Sequence, residues 1–302
     1  MPELQLLWGC EPARQFETDW LHWLLANQPV HDSASGWLGE PLAALGSRRR
    51  ILVESGLLRL ERHPDPARLA GQRDARARRL EALDALGTFA LVHLSDEEGF
   101  DGDELYPMLP GGTPIWRNFG HSRFAGLEPC PVVFPIGPRG LFLQPGPWSP
   151  ASRRPLPWAF MGTLWGSGSR RLATALFLRA LPQGFFHGAS GFASGLPLHH
   201  YKQVLAQSVF ALCPEGDRHL DTFRLYESLQ MGCIPLVVDV DHQAQALLGD
   251  RWPLPPLASW GEALAFAVST LQSPNALNAL QDQTQRWWQQ RYKLLSTALS
   301  TV

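Results

Sequence analysis

The stretch 208-SVFALCPEGDRHLDTFRLYESLQMGCIPLVVDVD-241 decides the fold class of this chain. Residues 209–213 form an apolar run that reads as a buried strand, and Pro214-Glu215-Gly216-Asp217 ends it in a loop. Asp221 suits a helix N-cap, which starts a helix at Thr222. Within that helix Phe223, Tyr226 and Leu229 recur three apart and face a core, while Arg224 and Glu227 share another face at i,i+3 spacing. Gly232 supplies the C-cap, and residues 234–238 return to the sheet. Strand, loop, helix and strand in that order are the unit of an α/β fold with parallel strands.

The same alternation extends on both sides. Residues 4–10, 50–54, 89–94, 115–119 and 132–136 read as strands, with helices over 17–26 and 66–86. After them, Gly137, Pro138, Gly140, Pro145, Gly146, Pro147, Pro150, Pro155 and Pro157 crowd one stretch, the composition of an interdomain linker. Alternation then resumes, with strands at 158–161, 185–187 and 209–213 and helices at 169–180, 198–207, 260–271 and 276–298. The expectation is two Rossmann-like domains, 1–150 and 151–302, with the last helix able to pack back on the first.

Composition excludes several classes. A formal charge of −2 and an 18% charged fraction give no field for nucleic acid. The cluster Arg73-Asp74-Ala75-Arg76-Ala77-Arg78-Arg79 reads as the solvated face of a helix. Cys10, Cys130, Cys213 and Cys233 show no paired spacing, so neither a zinc site nor a disulfide framework is expected. No apolar run reaches the ~20 residues of a membrane span, and the N-terminus shows no signal-peptide pattern, so a cytoplasmic setting is expected.

The chemistry gathers at strand ends. Ligands of open α/β sheets bind beyond the carboxyl ends of strands, where the loop at Pro214 and Gly216 would lie. The free N–H groups of the turn opening at Thr222 can hold a diphosphate, which the Arg224 fork also suits. Glu227 is spaced to accept hydrogen bonds from the two hydroxyls of a ribose. Phe160-Met161-Gly162-Thr163, followed by small residues and then Arg170 and Arg171, is a second strand-turn-helix start suited to a pyrophosphate. Each piece taken singly also suits an ordinary α/β turn with surface charges.

Together these residues resemble the exostosin-type glycosyltransferases, in particular the branch that includes the ribitol xylosyltransferase. The resemblance rests on Phe210 to Pro214, Gly216, Asp221 to Glu227 (Asp-Thr-Phe-Arg-Leu-Tyr-Glu) and Gly232-Cys233-Ile234-Pro235. It implies a GT-B fold, two Rossmann-like domains facing a central cleft. It also implies a nucleoside diphosphate sugar, by family analogy a UDP-sugar, as donor and a glycan hydroxyl as acceptor, with no further cofactor. By that analogy Arg224 contacts the diphosphate and Glu227 the ribose.

An inverting transferase needs a base for the acceptor hydroxyl. Ser95-Asp96-Glu97-Glu98 follows a strand, making Asp96 the first candidate and Glu97 the second. Arg117, Asn118 and His121 stand at the next strand end as candidate cleft residues. Two Asp-x-Asp triplets, Asp101/Asp103 and Asp239/Asp241, keep open a metal-dependent reading, although a metal-independent one is favoured. A module that binds nucleotide sugar or glycan without catalysis is the other alternative.

Overall fold

The computed structural model describes residues 3–33, 49–56, 65–143, 146–164, 168–191, 194–216, 218–239 and 243–301. The chain divides into two compact units: residues 1–136 with 294–302, and residues 137–293.

The first unit is built on β1 (Leu4–Trp8), β2 (Val30–Ser33), β3 (Arg49–Ser55), β4 (Ala90–Leu94), β5 (Ile115–Arg117) and β6 (Val132–Val133). They pair in the order β2-β1-β3-β4-β5-β6, each pair parallel. Helices α1 (Thr18–Leu25), α2 (Pro66–Asp84) and α3 (Phe100–Leu105) provide crossovers, as parallel neighbours require. Asp65 caps α2 by accepting from Ala67 N and Arg68 N at 3.0 and 3.3 Å, with Pro66 at the first helical position. Strands β1, β3 and β4 are buried along their length, the mark of a sheet covered on both faces.

Two residues of the Arg-rich stretch on α2 correct the solvated-face expectation. Arg73 and Arg78 are exposed, but Arg76 and Arg79, three apart on the same helix, turn inward. Arg76 makes a bidentate pair with Asp101, both contacts 2.9 Å, and reaches Glu54. Arg79 holds the other Glu54 oxygen at 2.6 and 2.8 Å. Planar forks satisfying each other's acceptors are what allow such charges inside.

The second unit is built on β7 (Leu156–Thr163), β8 (Phe185–Ala189), β9 (Ser208–Leu212) and β10 (Ile234–Leu236), ordered β10-β9-β7-β8 and again parallel. Its helices are α4 (Gly168–Ala180), α5 (Leu198–Gln207), α6 (Phe223–Gln230), α7 (Gln243–Leu248), α8 (Trp260–Leu271) and α9 (Pro274–Ser300). Trp158, Phe160, Phe177, Phe210, Leu212, Ile234 and Trp260 form its core. The α/β class and the two Rossmann-like units expected of a GT-B chain are both present.

The Gly/Pro-rich stretch is not a free linker; it packs within the second unit. Trp148 Nε1 donates to Gln230 O at 2.8 Å, and buried Arg154 donates to Ser208 O at 2.8 Å and Met231 O at 3.0 Å. The division therefore falls at 136/137, earlier than the breakers suggested. At the other end, the last residues of α9 count with the first unit, where Ser296 Oγ donates to Leu24 O at 2.6 Å. Among the described residues no helix is long and apolar enough to cross a membrane.

Candidate functional site

The carboxyl ends of β7 and β9 carry the residues singled out at 208–241. Strand β9 ends at Leu212, and Cys213 continues its pairing by donating its N–H to Leu236 O at 2.9 Å. Buried Pro214 turns the chain away, and Gly216 N closes the loop on His219 O at 2.6 Å. Asp217 lies outside the described residues.

Helix α6 begins one residue later than expected. Its N-cap is Thr222, in extended backbone, and no side chain caps it. Asp221 is not the cap: its carboxylate accepts the Tyr226 hydroxyl at 2.5 Å inside the core. That contact and burial hold the Tyr226 phenol well above its ordinary value, burial being the larger cause. Within the first turn Leu225 N donates to Thr222 O at 3.1 Å. At the far end Gly232 takes φ +70°, with Cys233 N bonded to Ser228 O and Gly232 N to Leu229 O, a Schellman closure.

Arg224 and Glu227 leave α6 toward different partners. Arg224 lays its guanidinium over the Phe160 ring, 4.5 Å from the centroid, and donates from Nε to Met161 O at 3.2 Å. Its Nη1 is buried with no hydrogen-bond partner among the described residues, and so is Thr222 Oγ1. Gly162, at φ +154°, passes directly beneath this guanidinium; any Cβ there would overlap Nη2. Glu227 is 1% exposed and accepts from Arg139 Nε. The i,i+3 pair inferred from spacing is thus replaced by two longer-range contacts.

Arg139 and Tyr201 are the residues that sequence reasoning missed. Arg139 lies in the breaker-rich stretch and Tyr201 in the first turn of α5, with the guanidinium 5.8 Å from the phenol ring centre. Burial, then the neighbouring Glu227 carboxylate, raise the Tyr201 phenol well above its ordinary value, against the opposing pull of Arg224 and Arg139. Burial lowers the Arg139 guanidinium's affinity for its proton, but Glu227 more than offsets it and leaves the group raised. Two arginines, one carboxylate and one phenol thus share a single electrostatic neighbourhood, and no sequence spacing links Arg139 or Tyr201 to the Arg224/Glu227 pair.

Of the second expected anion site, Arg170 is a tie rather than a free cation. It is buried and joins the two strand-end loops, donating to Thr163 O at 2.6 Å and Glu215 O at 2.8 Å. Ser169 Oγ adds a 2.8 Å contact to the Glu215 carboxylate. Arg171 is exposed on α4. Trp165, Gly166 and Ser167 fall outside the described residues.

In the first unit the carboxylate favoured as base is structural. Asp96 is 1% exposed; its oxygens accept from Asp101 N at 3.1 Å, Gly102 N at 3.0 Å and Arg117 Nη2 at 3.1 Å. It caps α3 and pairs with Arg117, leaving no open face for an acceptor hydroxyl. Arg117 is itself core, donating to Tyr106 Oη at 2.9 Å and lying 4.5 Å from the Phe124 ring centre. Asn118 is fully buried and bridges Ser95 N and Phe134 O. His121 packs edge-on against Phe124. Glu97 is half-buried and alone of the two base candidates keeps a solvent-facing surface.

Of the Asp-x-Asp triplets, Asp101 is consumed by Arg76 and by His93 Nε2 at 2.8 Å, and Asp103 pairs with Arg123 at 2.7 Å. Asp239 accepts from Ala244 N at 2.8 Å as the entry to α7, and Asp241 lies outside the described residues.

Comparison with known proteins points the same way. The Exostosin GT47 domain matches residues 131–281, half of the 302-residue chain. Exostosin-1 of Drosophila melanogaster is 33% identical over 116 residues, covering 34% of this chain and 14% of the relative. Exostosin-1c of Danio rerio is 31% identical over 118 residues, with the same coverage. The chain thus spans about a seventh of the length of these curated relatives. A crystal structure of an α1,3-fucosyltransferase with GDP aligns over 93% of this chain and 81% of its own, at 10% identity and a TM-score of 0.45. A likeness that low adds nothing to the fold read from the strands. The matched residues contain the β9–α6–β10 unit with Arg224 and Glu227, together with Arg139 and Gly162, and the chain belongs to the exostosin GT47 family of glycosyltransferases.

Proposed function

We propose that the protein transfers a sugar from a nucleoside diphosphate sugar, UDP-linked by family analogy, to a hydroxyl of a glycan acceptor. The observation that carries the donor half is the pair of buried atoms at the start of α6, Thr222 Oγ1 and Arg224 Nη1, neither with a hydrogen-bond partner among the described residues. Buried polar atoms left unmet are rare and costly, and a helix start that carries a cationic one suits an anion. Glu227, released from Arg139, would accept the ribose hydroxyls, and Arg139 would then turn to the diphosphate.

In the reaction the acceptor oxygen forms a bond to the anomeric carbon as the bond to the diphosphate oxygen breaks. Attack from the opposite face inverts the configuration. The acceptor proton passes to a base, for which Glu97 is preferred over Asp96 because Asp96 is fully committed to Arg117 and the start of α3. Charge on the departing nucleoside diphosphate is met by Arg224, Arg139 and the α6 amides, a metal-independent arrangement.

The test is isothermal titration with UDP and GDP, followed by release of nucleoside diphosphate from a panel of sugar donors with and without EDTA. Micromolar nucleotide binding and EDTA-resistant turnover are expected. Turnover abolished by EDTA and restored by manganese would overturn metal independence. Binding without turnover on any donor would favour the non-catalytic module, a reading that the locked state of Asp96 also favours.

A further inference from the structure

A groove of about 570 Å³ opens beside α9 in the second unit, within the size range of small-molecule sites. It lies at the amino ends of the strands. Gln281, on its wall, donates to Gly232 O at 2.8 Å just ahead of β10, and accepts from Ala151 N at 2.8 Å ahead of β7. Arg224 and Thr222 stand at the carboxyl ends of the same sheet, so the groove is separate from the nucleotide site proposed above.

Trp148 forms one side. Its indole Nε1 is fixed on Gln230 O, and the ring occupies the space that a Cβ at Gly232 would need. Helix α9 forms the other side, presenting Gln281, Asp282, Gln285, Arg286 and Gln289 from successive turns. Gln281 is fully engaged, but Gln285 is not. It is 5% exposed, and both its Oε1 and its Nε2 are buried without a hydrogen-bond partner among the described residues. A primary amide can donate two hydrogen bonds and accept two, and burying one unmet is unfavourable.

We infer that this groove is a saccharide-binding site. A hydroxyl both donates and accepts, so neighbouring ring hydroxyls can satisfy the two ends of the Gln285 amide at once. Trp148 offers an amphipathic aromatic surface for the apolar face of a sugar ring. Asp282 and Arg286 on the rim carry opposite charges and leave the lining with no net charge, so a phosphate or nucleotide gains no net attraction and a neutral glycan suits it better. The site holds a carbohydrate chain independently of donor binding.

The experiment titrates the full chain with cellohexaose, maltohexaose and chitohexaose, and separately with UDP, using wild type, Gln285→Leu and Asp282→Ala. At least one hexasaccharide binds wild type, and its Kd rises about tenfold or more in Gln285→Leu, with the UDP isotherm unchanged. Asp282 is exposed, so Asp282→Ala carries the test if circular dichroism shows that Gln285→Leu does not fold. The inference is overturned if none of the three saccharides binds, or if the folded variants bind as wild type does. Failure of UDP to bind would count against the donor reading and leave this site intact.

Discussion

Arg139 grips the buried carboxylate of Glu227 from 88 residues earlier in the chain. On the proposed reading the ribose's acceptor already has a cationic partner, which nucleotide would have to displace. Glu227→Gln keeps the shape and removes the charge. UDP affinity measured by titration calorimetry should fall about 10- to 100-fold, the loss of one or two strong hydrogen bonds. Unchanged affinity would remove Glu227 from the site.

Gly162 and Arg224 test the diphosphate end. In Gly162→Ala the new methyl would collide with the guanidinium, at a backbone angle that disfavours side chains. Thermal melting should show a loss of about 1–3 kcal/mol, and nucleotide affinity should fall with it. Arg224→Lys keeps the charge but not the fork, so its UDP affinity should fall with little change in melting temperature. Equal UDP affinity in all three proteins would sink the assignment.

Asp96→Asn separates anchor from base. Removing one partner of a buried ion pair costs about 3–5 kcal/mol, so urea unfolding of the full chain should show a drop of that order. A catalytic base would instead give a protein of normal stability that binds donor and does not turn over.

Asp101 links the first unit to acid. Burial would raise its carboxyl, but hydrogen bonds from His93 and Arg76 outweigh that and hold it well below the usual carboxylate range. A depressed carboxyl contributes stability above its unfolded value of about 3.9 and loses it as pH falls toward the folded value. Asp101→Asn should therefore be less stable than wild type at pH 7, by about 3–5 kcal/mol, and the gap should close as pH drops below about 4. A gap independent of pH would show that packing, not charge, is what Asp101 supplies.

The strands of both sheets were readable because burial on two faces leaves short apolar runs, and β3, β4, β7 and β9 all show them. Strand β2 was not, since Val-His-Asp-Ser is a half-exposed edge with no such signature. Helices α3 and α7, of six residues each, are too short for a period to emerge. Arg76 and Arg79 looked solvated because their burial depends on Glu54 and Asp101, which come from other segments. Asp96 looked like a base for the same reason, its partner Arg117 lying 21 residues on. Around Arg224 and Glu227 the element types were legible, while the partners Arg139, Tyr201 and Met161 O belong to packing that no local pattern encodes.

The first unit is assembled from two stretches of polypeptide, and the second stretch is the tail of α9. Besides the Ser296 bond to Leu24, Gln28 Nε2 reaches Ser300 Oγ at 3.3 Å and Arg49 donates to the Ser300 carbonyl. No single scission can therefore release both halves whole: a fragment stopping at 136 leaves Leu24 O, Gln28 Nε2 and the Arg49 guanidinium to water, and one starting at 137 carries an orphaned tail. Chimaeras between relatives must exchange residues 294–302 together with 1–136, and a cut ahead of residue 294 perturbs the first unit rather than the second.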